Sequence, residues 1–371
     1  MRFYADYLKK EEIMSRTQKY GFPQPWLGEL MVYDFEVFRH LLQFSKKFVL
    51  KGGAAAQMYI PVEQQRASID IDLIAGLTPE EIEHIFMEKL ANTGDFAKII
   101  SYKPKNAKKT LPLVTYLIDF PSAVKDGQMM QLKVDILFEE ISSYKVSNIG
   151  NRELFAAKIE DKIPCIKLGS LVADKLLTLA SKSIGIEEAR QDQLPKQVYD
   201  LMHLTGGMEK ADYRDMLFSF ERIAKAEMKF RDLEHNIGEI ISHIDKVLDE
   251  FAEADIVQGR MRKLINNFQS AYVNRMSRAG LQEWCTGALK LKYLVKTIKL
   301  ALAEGMSEEK VYAMLKQCES ELDKVKAMDI TKKIALRESL MQKAQEMLTN
   351  WKALKGKSEE RLFLELLQKE K

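Results

Sequence analysis

The spacing of apolar positions changes character along this chain. Over residues 27–44, Leu30, Met31, Phe35, Phe38, Leu41 and Leu42 recur at helical intervals. That spacing predicts an amphipathic helix with its apolar stripe in a core. Pro23 and Pro25 break the chain just before it. Residues 48–50 are a short apolar run, read as a buried strand. Lys51-Gly52-Gly53 reads as a turn, residues 54–59 as a short helix, and residues 68–73 (SIDIDL) as a second strand. In that strand Ile69, Ile71 and Leu73 alternate with Ser68, Asp70 and Asp72, so one face is apolar and the other polar.

Farther on, Thr78-Pro79-Glu80-Glu81 is a helix start, with Thr at the N-cap, Pro at the first helical position and Glu two residues later. The helix is expected to run to residues 92–94. Residues 113–120 and 129–138 are β-rich runs around Lys125-Asp126-Gly127, which predicts a hairpin. Residues 170–182 and 196–204 read as helices with a polar loop between them. From residue 211 the strand-like runs and the prolines stop. Helical periodicity continues over 211–230, 233–253, 256–276, 281–304, 307–328 and 331–355. The pattern predicts an α+β protein: a sheet-containing domain over residues 1–207, with its core at about 25–205, then an all-helical domain over 208–371.

Composition adds bounds. A length of 371 residues suits two domains. A net charge of +3 is too small to argue for nucleic acid by itself. Two local clusters stand out, Lys103, Lys105, Lys108 and Lys109 in one loop and Lys290, Lys292, Lys296 and Lys299 on one helix. Each is either solvated surface or a phosphate contact. The three cysteines, Cys165, Cys285 and Cys318, show neither a disulfide framework nor zinc spacing, which fits a reducing compartment. The first residues lack a signal-peptide core, and no apolar run approaches the roughly 20 residues of a membrane span. A cytoplasmic protein is expected. The histidines form no metal motif; on one helix His235 and His243 would lie about 12 Å apart.

The chemistry concentrates around residues 51–72. Asp70 and Asp72 project from one strand face, where they repel unless a cation lies between them, and a hard-oxygen ion such as Mg²⁺ suits them. Gly52 and Gly53 let backbone N–H groups approach a phosphate at the start of a helix. A glycine pair alone is an ordinary turn, and Asp-x-Asp alone is an ordinary solvated strand face. Their order, strand, glycine pair, helix, strand with two carboxylates, outlines a nucleoside-triphosphate site. Asp135 lies among apolar residues with Lys133 on its face. It is either at a sheet edge facing water or, if its strand pairs beside the Asp70 strand, a third carboxylate. Lys175 is either a snorkelling surface lysine or a charge on a triphosphate.

Five stretches, KGGAAAQMY (51–59), RASIDIDL (66–73), LKVDIL (132–137), LVADKLLTL (171–179) and KQVYDLMHL (196–204), occur in the order found in the AbiEii/AbiGii-type nucleotidyltransferases, which this sequence resembles over about residues 25–205. These are toxin components of toxin–antitoxin and phage-defence systems within the DNA polymerase β-like superfamily. The resemblance implies a nucleotidyltransferase fold with a mixed sheet. It also implies Gly52 and Gly53, with Lys51, on the triphosphate, and Asp70 and Asp72 as metal ligands in an Arg66-x-Ser68-x-Asp-x-Asp setting. Asp135 corresponds to the third carboxylate, Lys175 in the Asp174-Lys175 pair to a phosphate contact, and Asp200 to the last acid of the final element, with Lys196 at its basic position. Ala54 replaces the usual hydroxyl residue after the glycines, and Gln197 replaces a usual Asp.

What the resemblance implies is Mg²⁺-dependent transfer of a nucleoside monophosphate to an acceptor, an RNA (especially a tRNA 3′ end) or a protein. The helical domain would serve as platform, with the Lys290–Lys299 stretch the first place to look. A cognate antitoxin, DNA-binding or kinase-like, is the expected partner. The competing readings are a non-catalytic nucleotide-binding module, favoured by Ala54 and Gln197, and an antibiotic-modifying nucleotidyltransferase.

Overall fold

The computed structural model describes residues 2–102, 112–138, 141–256, 259–349 and 351–369. The basic loop with Lys103, Lys105, Lys108 and Lys109 lies outside the described residues. The fold is α+β, built from helices and a mixed seven-stranded sheet. It divides into two compact units, and the division is not a single cut in the chain. Unit one comprises Met1–Lys175, Pro195–Glu234 and Asn266–Arg278; unit two comprises Leu176–Leu194, His235–Ile265 and Ala279–Lys371.

Unit one begins with α1 (Lys10–Lys19) and α2 (Pro25–Phe44). Pro25 opens α2 at a position where its missing N–H costs nothing. The expected apolar stripe is present, but α2 is buried nearly all round, polar residues included. Buried Glu29 accepts from Ser122 Oγ and the Ala123 N–H, both at 2.5 Å. Buried Glu36 accepts from the N–H groups of Phe3 and Tyr4. Asp34, also fully buried, has no hydrogen-bond partner among the described residues for either carboxyl oxygen.

The chain then forms β1 (Phe48–Lys51), α3 (Gly52–Gln57), β2 (Asp70–Ala75) and α4 (Pro79–His84). The helix α3 starts at Gly52 itself, without the intervening turn that the sequence suggests. Both bonds of the Thr78–Glu81 capping box are present at the start of α4. The helical run continues to residues 92–94 as predicted, passing into a π-helical turn at Ile85–Leu90 and a 3₁₀ turn at Ala91–Thr93 and stopped by left-handed Gly94.

Next come β3 (Lys98–Tyr102), β4 (Leu113–Pro121), β5 (Met129–Leu137), β6 (Val146–Ile149), β7 (Arg152–Glu153), β8 (Lys158–Ile159) and β9 (Ile163–Ile166). The sheet order is β3-β4-β5-β2-β1-β9-β6, with β7 and β8 paired separately. β4 and β5 pair antiparallel as expected, joined by the loop 122–128. Glu29 holds that loop. β5 pairs parallel to β2, which resolves the question left open for Asp135: its strand is interior to the sheet, next to the Asp70 strand.

Unit one also contains the first turns of α5 (Leu168–Thr178), α6 (Leu194–Leu204) from Pro195 on, and α7 (Lys210–Arg231). Gly169 permits a close approach of α5 and α7: a Cβ there would stand 2.8 Å from Met216 N. Beside it, Ser170 Oγ and Ser219 Oγ are 2.7 Å apart.

Unit two is helical. It contains α8 (Ile237–Ala252), the first turns of α9 (Arg260–Tyr272), α10 (Leu281–Leu302), α11 (Glu308–Ala327), α12 (Ile330–Met347) and α13 (Glu359–Lys369). α10 packs against α8, α11 and α13, and Trp284 and Tyr293 are buried as core residues. The sequence reading missed α13, where buried Arg361 pairs with Asp255 at 2.6 Å and donates to the Ala252 carbonyl. His235 and His243 are not about 12 Å apart: their ring centroids are separated by 5.7 Å. His235 precedes the Asn236 cap of α8, so it folds back along the helix rather than continuing it. Among the described residues no helix is long and apolar enough to cross a membrane.

Candidate active site

One row of side chains crosses four strands on a single face of the sheet. The register places Lys51 of β1 opposite Asp72 of β2, Asp72 opposite Asp135 of β5, and Asp135 opposite Thr115 of β4. Asp70, two residues before Asp72, shares the face. The alternate positions, Leu50, Ile71, Leu73, Val134 and Ile136, are buried on the other side. Two-residue periodicity thus sorts one face into core and the other into a charged row.

Gly52 follows Lys51 directly, with φ +70°. A Cβ at Gly52 would overlap the Asp72 carboxylate, standing 2.6 Å from its Cγ. A Cβ at Gly53 would stand 2.7 Å from Ser68 Oγ and 3.1 Å from Arg66 Nη2. The glycine pair is therefore pressed against the acidic strand, and no other residue type fits both positions without displacing it. The first backbone N–H groups of α3, which lack intrahelical partners, begin at the same spot.

The row is electrostatically loaded. The Asp72 pKa is pushed up to about 6, by desolvation first, then by the charges of Asp70 and Asp135, with Lys51 and Lys196 opposing. Burial acts to lower the Lys51 pKa, but Asp174, Tyr144 and Asp72 outweigh it and the value is raised. Lys51 Nζ lies 3.0 Å from Asp174 Oδ1. Asp135 accepts from Thr115 Oγ1 at 2.6 Å and from Lys133 Nζ. Among the described residues no three His, Cys, Asp or Glu side chains close around a common point. Mg²⁺ does not require such a cage, because it is held by one or two carboxylates plus waters and substrate phosphates. Three half-buried carboxylates on one face, one of them made harder to ionise by the other two, fit a hard divalent cation.

A second cluster is buried behind the glycines. Arg66 Nε and Nη2 donate to Asp200 Oδ1 and Oδ2 at 2.8 and 2.6 Å. Lys175 Nζ lies 2.7 Å from Asp200 Oδ2 and donates to Gln197 Oε1 at 3.2 Å. Lys175 is thus a buried group, not a snorkelling surface lysine. Desolvation lowers its pKa, and Asp200 only partly offsets this. Gln57 links the two clusters, donating to the Gly53 carbonyl and accepting from the Arg66 N–H.

The loop that carries Arg66 is held from far along the chain. Arg66 forms a bridge with Val273, the Ala67 N–H donates to the Tyr272 carbonyl at 2.9 Å, and Asn274 Nδ2 donates to the Glu63 carbonyl. Tyr199 Oη donates to the Gln64 carbonyl. The structure therefore brings Lys51, Gly52, Asp70, Asp72 and Asp135 together on one side, and Gly53, Ser68, Arg66, Asp200 and Lys175 on the other. The sequence reading did not single out Thr115, Gln57 or the Val273–Asn274 support. Thr115 alone had a local signal, as a polar position alternating with apolar ones in β4.

The profile of a family described as nucleotidyl transferase AbiEii toxin, type IV TA system, matches residues 37–277, a span that includes both clusters and the Val273–Asn274 support. The chain belongs to the AbiEii family. It is accordingly a nucleotidyltransferase of a toxin family. Among solved structures, a candidate nucleotidyltransferase from H. pylori is 13% identical, with 74% of this chain and 97% of that chain covered and a TM-score of 0.43. MenT4, a nucleotidyltransferase toxin from Mycobacterium tuberculosis, is 10% identical, with 78% of this chain and 98% of that chain covered and a TM-score of 0.42. No curated protein matches the sequence.

Proposed function

We propose that this AbiEii-family protein transfers a nucleoside monophosphate from a nucleoside triphosphate to an RNA acceptor, with Mg²⁺ held by Asp70, Asp72 and Asp135. The observation that carries the reading is the close approach of Gly52 to the Asp72 carboxylate, which puts the first backbone N–H groups of α3 beside paired carboxylates. Bound Mg²⁺ would neutralise charge on the attacking and leaving oxygens. The chain's own residues do the rest. Backbone N–H groups at Gly52 and Gly53 hold phosphate oxygens, and Lys51 contributes positive charge at the same end of the row. Arg66 and Ser68 back the glycines and fix the distance between cradle and carboxylates. Asp135 accepts the proton of the attacking hydroxyl. Asp200 holds Lys175 and Arg66 in place behind the glycines, where their positive charge favours phosphate.

RNA, a tRNA 3′ end in particular, is the acceptor class that the family resemblance supports. Family membership also supports a cognate antitoxin as partner and the cytoplasm as the place of action. The test is transfer of label from each α-³²P nucleoside triphosphate, with Mg²⁺, into total RNA and total protein. Label in RNA that disappears in the Asp70→Ala, Asp72→Ala double variant is the expected result. Label in protein alone overturns the acceptor assignment, and no label in either pool overturns the reading as a whole.

A further inference from the structure

The helical unit contains a polar cavity of about 370 Å³ apart from the carboxylate row. Its walls come from the segment Leu176–Leu194, from α8 and from the start of α9. In the chain, that segment links α5, with Lys175, to α6, with Asp200. Hydrogen bonding between His243 and Ser183, 3.0 Å apart, ties α8 to it.

Three cations line the cavity: Lys182, Lys246 and Arg260. Among the described residues none of them is in an ion pair. Glu188 and Glu250 also line it, so the balance there is positive by one charge. The start of α9 adds to this. Its first turn reads Arg260-Met261-Arg262-Lys263 and contains no acid. Cations at the positive end of a helix cost stability, so this placement opposes what helix formation favours. The positive field registers at His243, whose pKa is lowered by desolvation first, then by His235, Lys246 and Lys182, with Glu239 opposing. Gln191 also lines the cavity, and its Oε1 is a buried acceptor without a hydrogen-bond partner among the described residues.

The stretch from Lys290 to Lys299 offers much less. Lys292 is paired with Asp245 and Asp249, Lys296 donates to the Leu367 carbonyl, and Lys299 lies 3.6 Å from Glu304. Its charge is largely spent within the unit.

We propose that the cavity is a nucleotide subsite for the RNA acceptor, in which Lys182, Lys246 and Arg260 neutralise a backbone phosphate and Gln191 Oε1 accepts from the adjoining ribose 2′-hydroxyl. An unpaired cation set suits the phosphate, and an orphaned acceptor suits a hydroxyl donor that RNA has and DNA lacks. The assignment rests on the RNA reading above.

The experiment is fluorescence anisotropy of labelled mixed tRNA with the full chain over a salt series. The variants are K182A/K246A/R260A and a control of equal charge change on α11 and α12, K316A/K324A/K332A, with melting curves recorded for both. The expected result is a loss of tenfold or more in affinity for the cavity variant at about 0.1 M salt, with a salt slope shallower by roughly 1. Q191L should narrow the preference for RNA over DNA of the same sequence. If wild-type protein binds tRNA and the cavity variant matches it, or the control loses as much, the subsite assignment falls and the RNA reading stands. If wild-type protein neither binds nor labels RNA, both fall.

Discussion

Arg66 and Asp200 lie 134 positions apart in the chain and meet in a two-pronged ion pair closed to solvent. Lys175 shares the same carboxylate. Burial alone would raise the Asp200 pKa; the charges of Arg66 and Lys175 and the hydrogen bonds they donate overcome it and lower the value. Asp200→Ala leaves two buried cations without their counter-ion, at a cost of about 3–5 kcal/mol. Because the folded carboxyl titrates below the unfolded value of about 3.9, the stabilisation is in full force above that pH and is lost as pH falls through the lowered value. Urea midpoints of wild type and variant should differ widely at pH 7 and draw together in acid.

Asp72 runs the opposite way. Its folded pKa of about 6 exceeds the unfolded value, so ionising it costs stability progressively between roughly pH 4 and pH 6, and the cost is complete above that. Asp72→Asn should raise the melting temperature of the metal-free protein at pH 7.5 by a few degrees while abolishing nucleotidyl transfer. Mg²⁺ should raise the wild-type melting temperature at pH 7.5, much less at pH 5, and not at all in the variant. Thermal scans with Mg²⁺ and with EDTA check all three.

Gln197 gives Lys175 an amide oxygen where a second carboxylate would offer charge. With its pKa lowered by burial, Lys175 loses its proton at a lower pH than an ordinary lysine. Transfer activity should therefore fall on the alkaline side. Gln197→Asp should move that limb upward by about one pH unit or more, since an adjacent opposite charge favours the charged lysine. The pH profile of kcat is the measurement, and an unmoved limb removes Lys175 from the assignment.

Asp34 is buried in α2 with both carboxyl oxygens unpartnered among the described residues, and desolvation, then Asp70 and Asp72, raise its pKa well above the ordinary value. Its presence costs stability increasingly as pH rises from about 4 through that raised value. Asp34→Leu keeps the branched shape without the polar atoms. It should stabilise the fold by about 1–3 kcal/mol at pH 8 and by less at pH 4, read as a shift in urea midpoint.

Much of the carboxylate row was legible because its signals are local. The glycine pair, the alternation in β2 and the Thr78 cap each occupy a few consecutive residues. Asp135 could be given a face but not a neighbour, since sheet order is a long-range property that alternation does not encode. The strands β6 to β9 are only two to four residues each, and β9 contains Pro164, so no β-rich run announces them. Periodicity shows the apolar stripe of α2 but not the burial of its polar side, because the partners of Glu29 and Glu36, backbone N–H groups among them, come from distant parts of the chain. Periodicity ran α9 on to residue 276, whereas it ends at Tyr272, where the backbone turns extended to bridge Arg66.

That bridge sets an order on synthesis. The ribosome makes Arg66 early, yet the strand partner at Val273 and the amide of Asn274 that pins Glu63 come more than two hundred residues later. A nascent or prematurely released chain lacking them holds that loop through its earlier partners, Gln57, Tyr199 and Asp200 among them. A chain that belongs to a family of cellular poisons thus carries its own delay: the last clasp on the Arg66 loop closes only after most of the polypeptide has left the ribosome.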